Sequence, residues 1–408
     1  MKKADSDYRA FLDILKEELI PAGGCTEPIA IAYTAAVARK TLGCRPEHMD
    51  VYASGNLIKN AKGVYIPNGG ELRGVDAAAI LGALGGNADR MLEVLLDLPD
   101  GVLDETQALV QQNYCKVHVI QGSEALHLIV NVQAGGQTAE VELKNAHTHI
   151  VRIEKNGQTV FRAEEEGTQD GFTDHSCLTV EKIVDFANTC DLADIEPTLQ
   201  KQIDCNMQIA EEGLNNRWGV NVGKLYYENG KLLQAYAAAA SDARMSGCNL
   251  PVVIVYAEKH GCSREQMLRA LALSDLIAIH LKSGIGRLSA YCGAVCAATG
   301  AGCAMTYLDG GTLEQIDQTI TNSIATSSGM VCDGAKPSCA AKIATSLESA
   351  IMAHDLAMAN RAFQSGEGIV MDNVEQTIDA VGCVASQGMH ITDQVILNLM
   401  TQQKGAQA

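Results

Sequence analysis

The sequence predicts an α+β protein in which an N-terminal mixed α/β domain is followed by a mostly α-helical domain. Short segments in which apolar and polar residues alternate, as in half-buried strands, are concentrated before residue 165. Helical periodicity continues almost without interruption beyond residue 175. The acidic stretch 164–171 has no apolar period. We therefore expect two domains, residues 1–165 and 175–408.

Helices and strands alternate in the first domain. Pro28 suits a first helical turn, because the N–H that proline lacks would be unpaired there in any residue. We predict helices over 8–19, 26–42 and 75–84, and strands over 49–53, 117–120, 126–132, 139–143 and 150–153.

The second domain has a helical pattern broken at glycine-rich joints. The predicted helices are 180–188, 196–212, 232–245, 264–282, 313–327, 340–364 and 374–386, with joints at 283–286, 309–311 and 365–368. The uncharged segment 288–308 consists mostly of Gly, Ala, Ser, Thr and Cys. Because it contains too little Leu, Ile or Phe to favour hydrocarbon, we predict a buried helix and not a membrane span.

The composition is that of a globular cytoplasmic protein. The chain has 408 residues, 47% of them apolar, which can form more than one core. The net charge of -18 and the absence of Lys/Arg clusters argue against nucleic acid and membranes as partners. The N-terminus lacks the apolar region of a signal peptide, so we expect the 14 cysteines to be reduced. A homodimer is compatible with the sequence.

Three cysteines have the spacing of a metal cluster. Cys332 and Cys339 bracket a loop that contains Gly and Pro, and Cys292 lies upstream in a segment of small residues. Zinc sites pair their ligands through fewer residues, and no CxxC occurs. Iron and sulfur are therefore favoured, and three thiolates on a four-iron cluster leave one iron open as a Lewis acid. Lys336 would place a cation beside such a cluster.

Most of the other cysteines are expected to pack as small hydrophobic residues. Cys296 and Cys303 fall on the same helical face as Cys292, which permits either a ligand array or a core stripe. Core packing is the favoured interpretation for both.

Cys25 lies in a glycine turn that leads into a predicted helix. The positive end of the helix dipole and the unpaired N–H groups lower the pKa of a thiol at that position. Cys25 is thus a candidate base, nucleophile or ligand. Thr26 is a candidate N-cap, and Glu27 is electrostatically favourable in the first turn of any helix.

Three amides and two histidines are further candidates. Asn56, Asn60 and Asn68 have side chains that can orient an amino acid. Alternate residues on a strand face the same side, so on a strand His147 and His149 would point together, either into a site or into water. Two histidines without a third ligand make a poor zinc site.

Lys59 suggests a different cofactor. It follows Ser54-Gly55-Asn56, which vaguely resembles the surroundings of the lysine in pyridoxal-phosphate enzymes, where the lysine forms a Schiff base. A single lysine near serine and glycine does not by itself identify such an enzyme.

Several motifs together resemble the L-cysteine desulfidase family, proteins also called UPF0597 or serine dehydratase-like alpha-subunit proteins. They are Gly24-Cys25-Thr26-Glu27-Pro28, Ser54-Gly55-Asn56 with Asn60, Asn145-Ala146-His147-Thr148-His149, Ser283-Gly284-Ile285-Gly286 with Cys292-Gly293, and Gly329-Met330-Val331-Cys332-Asp333-Gly334-Ala335-Lys336. The resemblance implies a [4Fe-4S] lyase that converts L-cysteine and water to pyruvate, ammonia and sulfide without pyridoxal phosphate.

The resemblance also implies roles for individual residues. The related iron–sulfur serine dehydratases hold their cluster through three cysteines, a pattern that maps onto Cys292, Cys332 and Cys339, although the loop is shorter here. A rival mapping makes Cys25 the third ligand. We favour Cys25 as the base, because three ligands are available without it.

The implied substrate is a small amino acid. Thr26 at the helix N-terminus, Thr148 and Lys336 are candidates for binding its carboxylate. Two alternatives stay open. One is an iron–sulfur L-serine dehydratase, and the other is a cluster-free binding or regulatory relative in which the cysteines are merely packed.

Overall fold

The chain folds into two compact units. The computed structural model describes residues 1–20, 22, 24–120, 122, 126–163, 173–243, 249–286 and 288–402. The helical unit consists of Met1–Pro21, Phe172–Cys332 and Pro337–Ile391. The sheet unit consists of Ala22–Gly171, Asp333–Lys336 and Thr392–Ala408.

The secondary structure is mainly helical. In chain order the helices are α1 (Ser6–Glu18), α2 (Thr26–Leu42), α3 (Gly55–Lys62), α4 (Val75–Gly85), α5 (Val102–Gln111), α6 (Val180–Thr189), α7 (Leu192–Asn215), α8 (Val222–Glu228), α9 (Leu232–Ala243), α10 (Leu250–Lys259), α11 (Arg264–Ile285), α12 (Gly293–Leu308), α13 (Leu313–Ser327), α14 (Cys339–Met358), α15 (Val374–Cys383) and α16 (His390–Gln402). The strands are β1 (His48–Ser54), β2 (Cys115–Ile120), β3 (His127–Ala134), β4 (Gln137–Lys144), β5 (Ile150–Lys155) and β6 (Gln158–Arg162).

The sheet unit is built on one sheet with the strand order β2-β1-β3-β4-β5-β6. Strands β1 and β2 are parallel, and the remaining neighbours are antiparallel. Side chains on β3 and β4 alternate, so that Leu128, Val130 and Val141 are buried, whereas Ile129, Asn131 and Glu142 are only partly buried. Helix α2 packs against these strands and is buried along most of its length.

Helices α2 and α4 approach each other closely in the sheet unit. A side chain at Gly82 would overlap the backbone of Ala32, including its carbonyl oxygen. Glycine is therefore required at this contact, because any Cβ atom would push the two helices apart.

Helix α12 lies at the centre of the helical unit. It contacts α11, α13 and α14 and is buried along most of its length. Its small residues permit this packing, since a Cβ at Gly300 would overlap the Ser274 carbonyl of α11. No helix in the described part of the chain is long and apolar enough to cross a membrane.

The predicted fold class is confirmed as a mixed α/β N-terminal region with a sheet and a helical C-terminal region. The units nevertheless differ from the predicted domains at both ends of the chain. Helix α1 belongs to the helical unit, because Phe11 packs edge-on against Phe186 and Tyr8 contacts the same ring. At the other end, the chain from Thr392 onward belongs to the sheet unit. The predicted boundary 164–171 lies outside the described residues.

Asp275 is a buried carboxyl group on α11. Its Oδ1 accepts hydrogen bonds from Gln202 Nε2 and Asn249 Nδ2, each at 3.1 Å. Oδ2 and the side-chain oxygen of Gln202 have no hydrogen-bond partner among the described residues. Burial raises the pKa of Asp275 to about 6, because the apolar surroundings disfavour the charged form.

This shift predicts a pH-dependent stability. The carboxyl group has a higher pKa in the folded chain than in the unfolded chain, so its contribution to stability is present below about pH 4 and is lost as the pH rises to about 6. Asp275→Asn should therefore raise the free energy of unfolding at pH 8 by about 1–3 kcal/mol. The new amide can also donate to Gln202.

Urea unfolding at pH 4.5 and pH 8 measures this effect. The exposed Asp379 on α15 provides the matched control, and Asp379→Asn should leave the pH dependence unchanged. Equal destabilisation of Asp275→Asn at both pH values would contradict the interpretation.

Candidate active site

A two-residue β-bridge in the helical unit brings Cys292 and Cys332 to the same place. Tyr291 and Val331 form an isolated antiparallel pair. The N–H of Cys292 donates to the carbonyl of Met330 at 3.0 Å, and the N–H of Cys332 donates to the carbonyl of Ala290 at 2.6 Å. Since side chains alternate along a strand, both cysteines lie on the face opposite to Tyr291 and Val331.

The thiols of Cys292 and Cys332 interact directly. The hydrogen bond between the two side chains and the burial of Cys292 raise the pKa of Cys292 above its ordinary value. The N–H of Ala294 in the first turn of α12 acts in the opposite direction, because it stabilises a charge on the sulfur. Without a metal Cys292 therefore keeps its proton, and metal binding would release it.

Cys339 and Lys342 belong to the same neighbourhood. Cys339 is the first residue of α14, and its charge also raises the pKa of Cys292. Lys342 lies in the first turn of that helix and donates from Nζ to the carbonyl of Val331 at 2.6 Å. This contact ties the helix that begins with Cys339 to the bridge strand that contains Cys332.

The donor set fits a group that takes several thiolate ligands. In the described residues, no three His, Cys, Asp or Glu side chains converge as ligands of a single metal ion. The sulfurs that hold a four-iron cluster each bind a different iron, so they lie farther apart than the ligands of one ion. Cys292, Cys332 and Cys339 supply the three thiols that such a group takes, and the contact between Cys292 and Cys332 would have to open to admit it.

Cys296 and Cys303 lie in the core of the helical unit, as predicted. Both are buried within α12. Burial raises the pKa of Cys296 to about 11 and also raises that of Cys303. Neither thiol is therefore ready to ionise, and both fit a packing role.

In the sheet unit, Cys25 lies beside a buried carboxylate. Cys25, and not Thr26, is the N-cap residue of α2. Its Sγ donates to Glu27 Oε2 at 3.2 Å, and the Thr26 hydroxyl donates to the same oxygen at 3.3 Å. The other oxygen of Glu27 accepts from Asn60 Nδ2 at 3.0 Å. We call Cys25, Thr26, Glu27 and Asn60 the Glu27 cluster.

Asn56 and Asn60 present two acceptors on one face of α3. The residues are one helical turn apart, so their side chains are neighbours. The Oδ1 atoms of both are buried and have no partner among the described residues. A buried acceptor without a donor is costly, so these oxygens fit a ligand that carries N–H groups.

Asn68 and Lys59 make contacts within the fold. Asn68 is in the left-handed region, with φ of 55°, and its Nδ2 donates to the Leu95 carbonyl at 3.1 Å. Lys59 is 1% exposed, and its Nζ pairs with Asp393 at 2.5 Å. These contacts give both side chains a structural function.

The prediction that His147 and His149 alternate along a strand is wrong. Residues 145–149 form the turn between β4 and β5. Asn145 has φ of 66°, which ends the extended conformation, and the N–H of His149 donates to the Ala146 carbonyl. The ring of His149 contacts the Lys144 carbonyl, and Thr148 is half-buried in the turn.

Lys336 binds within its own loop. Its Nζ contacts Asp333 Oδ1 at 2.6 Å and the Gly334 carbonyl at 3.0 Å. Gly334 has φ of 92°, and any side chain there would overlap the Lys59 carbonyl of α3. The loop Asp333–Lys336 therefore lies against the helix that carries Asn56 and Asn60.

Comparison with known proteins identifies the family. A family model described as serine dehydratase alpha chain matches residues 151–398. A UPF0597 protein of Lachnoclostridium phytofermentans is 47% identical over 96% of this chain and 99% of its own length. The chain belongs to the UPF0597 family, and its residues 151–398 resemble the serine dehydratase alpha chain. These matches confirm the UPF0597 and serine dehydratase-like resemblance that the sequence motifs indicated.

Other family members are similar along their whole length. A UPF0597 protein of Treponema denticola is 43% identical over 97% of this chain and 98% of its own length. One from Bacteroides fragilis is 37% identical over 97% of this chain and 99% of its own length. The segment that matches the serine dehydratase model contains Cys292, Cys332 and Cys339, whereas Cys25 precedes it.

Glu27 and Lys342 are not among the predicted site residues. The helix dipole alone accounts for a glutamate at position 27, but its place two residues after Cys25 is a usable signal. Lys342 had no role, but its place one turn after Cys339 could have indicated a cation beside the thiols.

Proposed function

We propose that this UPF0597 protein is a [4Fe-4S]-dependent lyase, and specifically an L-cysteine desulfidase that releases pyruvate, ammonia and sulfide. The observation that carries the proposal is the pair of facing thiols on the Tyr291–Val331 bridge. In this proposal the cluster ligands are Cys292, Cys332 and Cys339.

A cluster bound there would supply an iron without a protein ligand, which acts as a Lewis acid towards a departing thiolate. The chain itself must remove the proton from the substrate Cα, and we assign that function to Cys25. A positioned base contributes roughly 10²- to 10⁴-fold to such a proton transfer. Pyridoxal phosphate has no part in the proposal, in which Lys59 serves as the partner of Asp393.

The Glu27 cluster and α3 supply groups suited to an amino acid. The Oδ1 atoms of Asn56 and Asn60 would accept hydrogen bonds from the substrate ammonium group. The N-terminus of α2 at Thr26 would attract the carboxylate. Roles for Asn68, His147, Thr148, His149 and Lys336 in substrate binding stay predictions.

L-Serine dehydration is the second candidate, because the matching family model is that of the serine dehydratase alpha chain. The two reactions differ in the leaving group, which is sulfide in one and water in the other. The test compares kcat/KM for the two substrates in one anaerobic preparation. Sulfide release is measured with L-cysteine, and ammonia release is measured with L-serine. A higher kcat/KM for L-serine would contradict the desulfidase proposal.

The ligand assignment predicts the effect of Cys332→Ala. Anaerobically reconstituted wild-type protein should bind about four irons per chain, and the variant should lose both the cluster absorbance and all lyase activity. Iron analysis and the visible spectrum measure the change. Cys303→Ala removes a buried thiol from the same helical unit and should retain the cluster. Full iron content in Cys332→Ala would exclude the assignment.

The assignment of Cys25 predicts a different result for Cys25→Ser. The iron–sulfur spectrum should persist, while turnover falls about 10²- to 10⁴-fold because the base is lost. Exchange of the Cα hydrogen of L-cysteine with deuterated solvent should disappear as well. Loss of iron from this variant would instead make Cys25 a ligand, and Cys339 would then belong to the protein core.

A further inference from the structure

Glu27 is a buried carboxylate that no cation balances. It is 9% exposed and accepts hydrogen bonds from the Cys25 thiol, the Thr26 hydroxyl and the Asn60 amide. No Lys, Arg or His pairs with it among the described residues. Burial of a carboxylate is costly, and neutral donors offset that cost only partly. An exposed glutamate would interact with the helix dipole equally well, so that interaction does not explain why Glu27 is buried.

The geometry points to Glu27 as the acceptor of the Cys25 proton, which makes the thiolate available as a base. This inference rests on the proposed function of Cys25. The Sγ–Oε2 distance of 3.2 Å is within range for a hydrogen bond to sulfur, so the proton needs no intervening water. Glu27 acts through Cys25 and is therefore a positioning residue.

The protons balance over one reaction. The S–H bond of Cys25 breaks and an O–H bond forms on Glu27. The thiolate then takes the Cα proton of the substrate, the electron pair of that bond forms the Cα–Cβ double bond, and the Cβ–S bond breaks. Glu27 finally releases its proton to solvent, and the departing sulfide takes up a proton from solvent. Cys25 is a thiol and Glu27 a carboxylate again, and no oxidant or reductant is required.

Asn60 fixes this geometry from a second element. It is 8% exposed, and its Nδ2 holds Oε1 of Glu27 while its own Oδ1 has no partner among the described residues. The carboxylate is thus oriented towards Cys25 by a residue of α3, which also presents an acceptor for a ligand. This unpartnered oxygen is an independent indication that the cluster faces a binding site.

Glu27→Gln tests the inference while keeping the size of the side chain. At neutral pH kcat should fall about 10²- to 10⁴-fold, with KM and iron content little changed. In wild type Glu27 takes the Cys25 proton, whereas in the variant solvent must take it. The acidic limb of the pH profile should therefore move to higher pH in the variant. Activity should therefore recover in part at high pH.

Two control variants separate this function from a structural one. Glu314→Gln removes an exposed glutamate from the first turn of α13 and should leave kcat and the pH profile unchanged. Glu27→Asp keeps a carboxylate and should retain more activity than Glu27→Gln. A Glu27→Gln variant with the wild-type pH profile would overturn the inference, even where its stability is lower.

Infrared spectroscopy gives a readout that needs neither turnover nor a cluster. The difference between wild type and Cys25→Ser isolates the S–H stretching band of Cys25. We expect that band to shift when acid protonates Glu27, and not to shift in Glu27→Gln. A wild-type band that is insensitive to acid contradicts the inference. If the band shifts but Cys25→Ser retains full activity, the proposed function of Cys25 fails while the proton-accepting contact stands.

Discussion

The pair of backbone hydrogen bonds around Tyr291 and Val331 is the interaction on which the proposed metal site depends. It joins two segments that are distant in the chain and sets Cys292 and Cys332 on one face. Two hydrogen bonds contribute only modestly to stability, about 1 kcal/mol each. The bridge therefore needs support from its surroundings. Cys292 is the N-cap residue of α12, and Lys342 ties α14 to the opposite strand.

Two cysteines at helix N-termini have different neighbours, and the neighbours decide what each thiol can do. Cys292 faces another thiol, with a third nearby, which suits metal ligation because a metal ion replaces the proton that Cys292 holds. Cys25 faces the carboxylate of Glu27, which suits proton transfer. A helix N-terminus favours a negative charge on sulfur in both places. Because the helix N-terminus acts on both thiols alike, the proposed functions of Cys292 and Cys25 differ through their side-chain contacts.

Local sequence signals predicted much of the fold. The helix 26–42 has the same bounds in the structure, because apolar residues and alanines continue to the glycine at which it ends. Helix α3 was missed because Gly55 and Asn56 at its start favour turns, whereas burial of Leu57 and Ile58 stabilises it as a helix. The turn at 145–149 was mistaken for a strand. Alternation of His147 and His149 does not reveal the left-handed conformation of Asn145.

The candidate sites were harder to predict than the elements that carry them. The spacing of Cys332 and Cys339 was visible in the sequence, but the bridge that brings Cys292 beside Cys332 depends on tertiary packing. The contact of Glu27 with Asn60 likewise joins separate helices.

Mössbauer spectroscopy of the wild-type protein tests the central claim most directly. After anaerobic reconstitution with iron and sulfide, the three-thiolate assignment predicts a four-iron cluster in which one iron differs from the other three, and its signal should change when L-cysteine is added. Protein that binds no cluster, or a cluster whose irons do not respond to L-cysteine, would contradict the account.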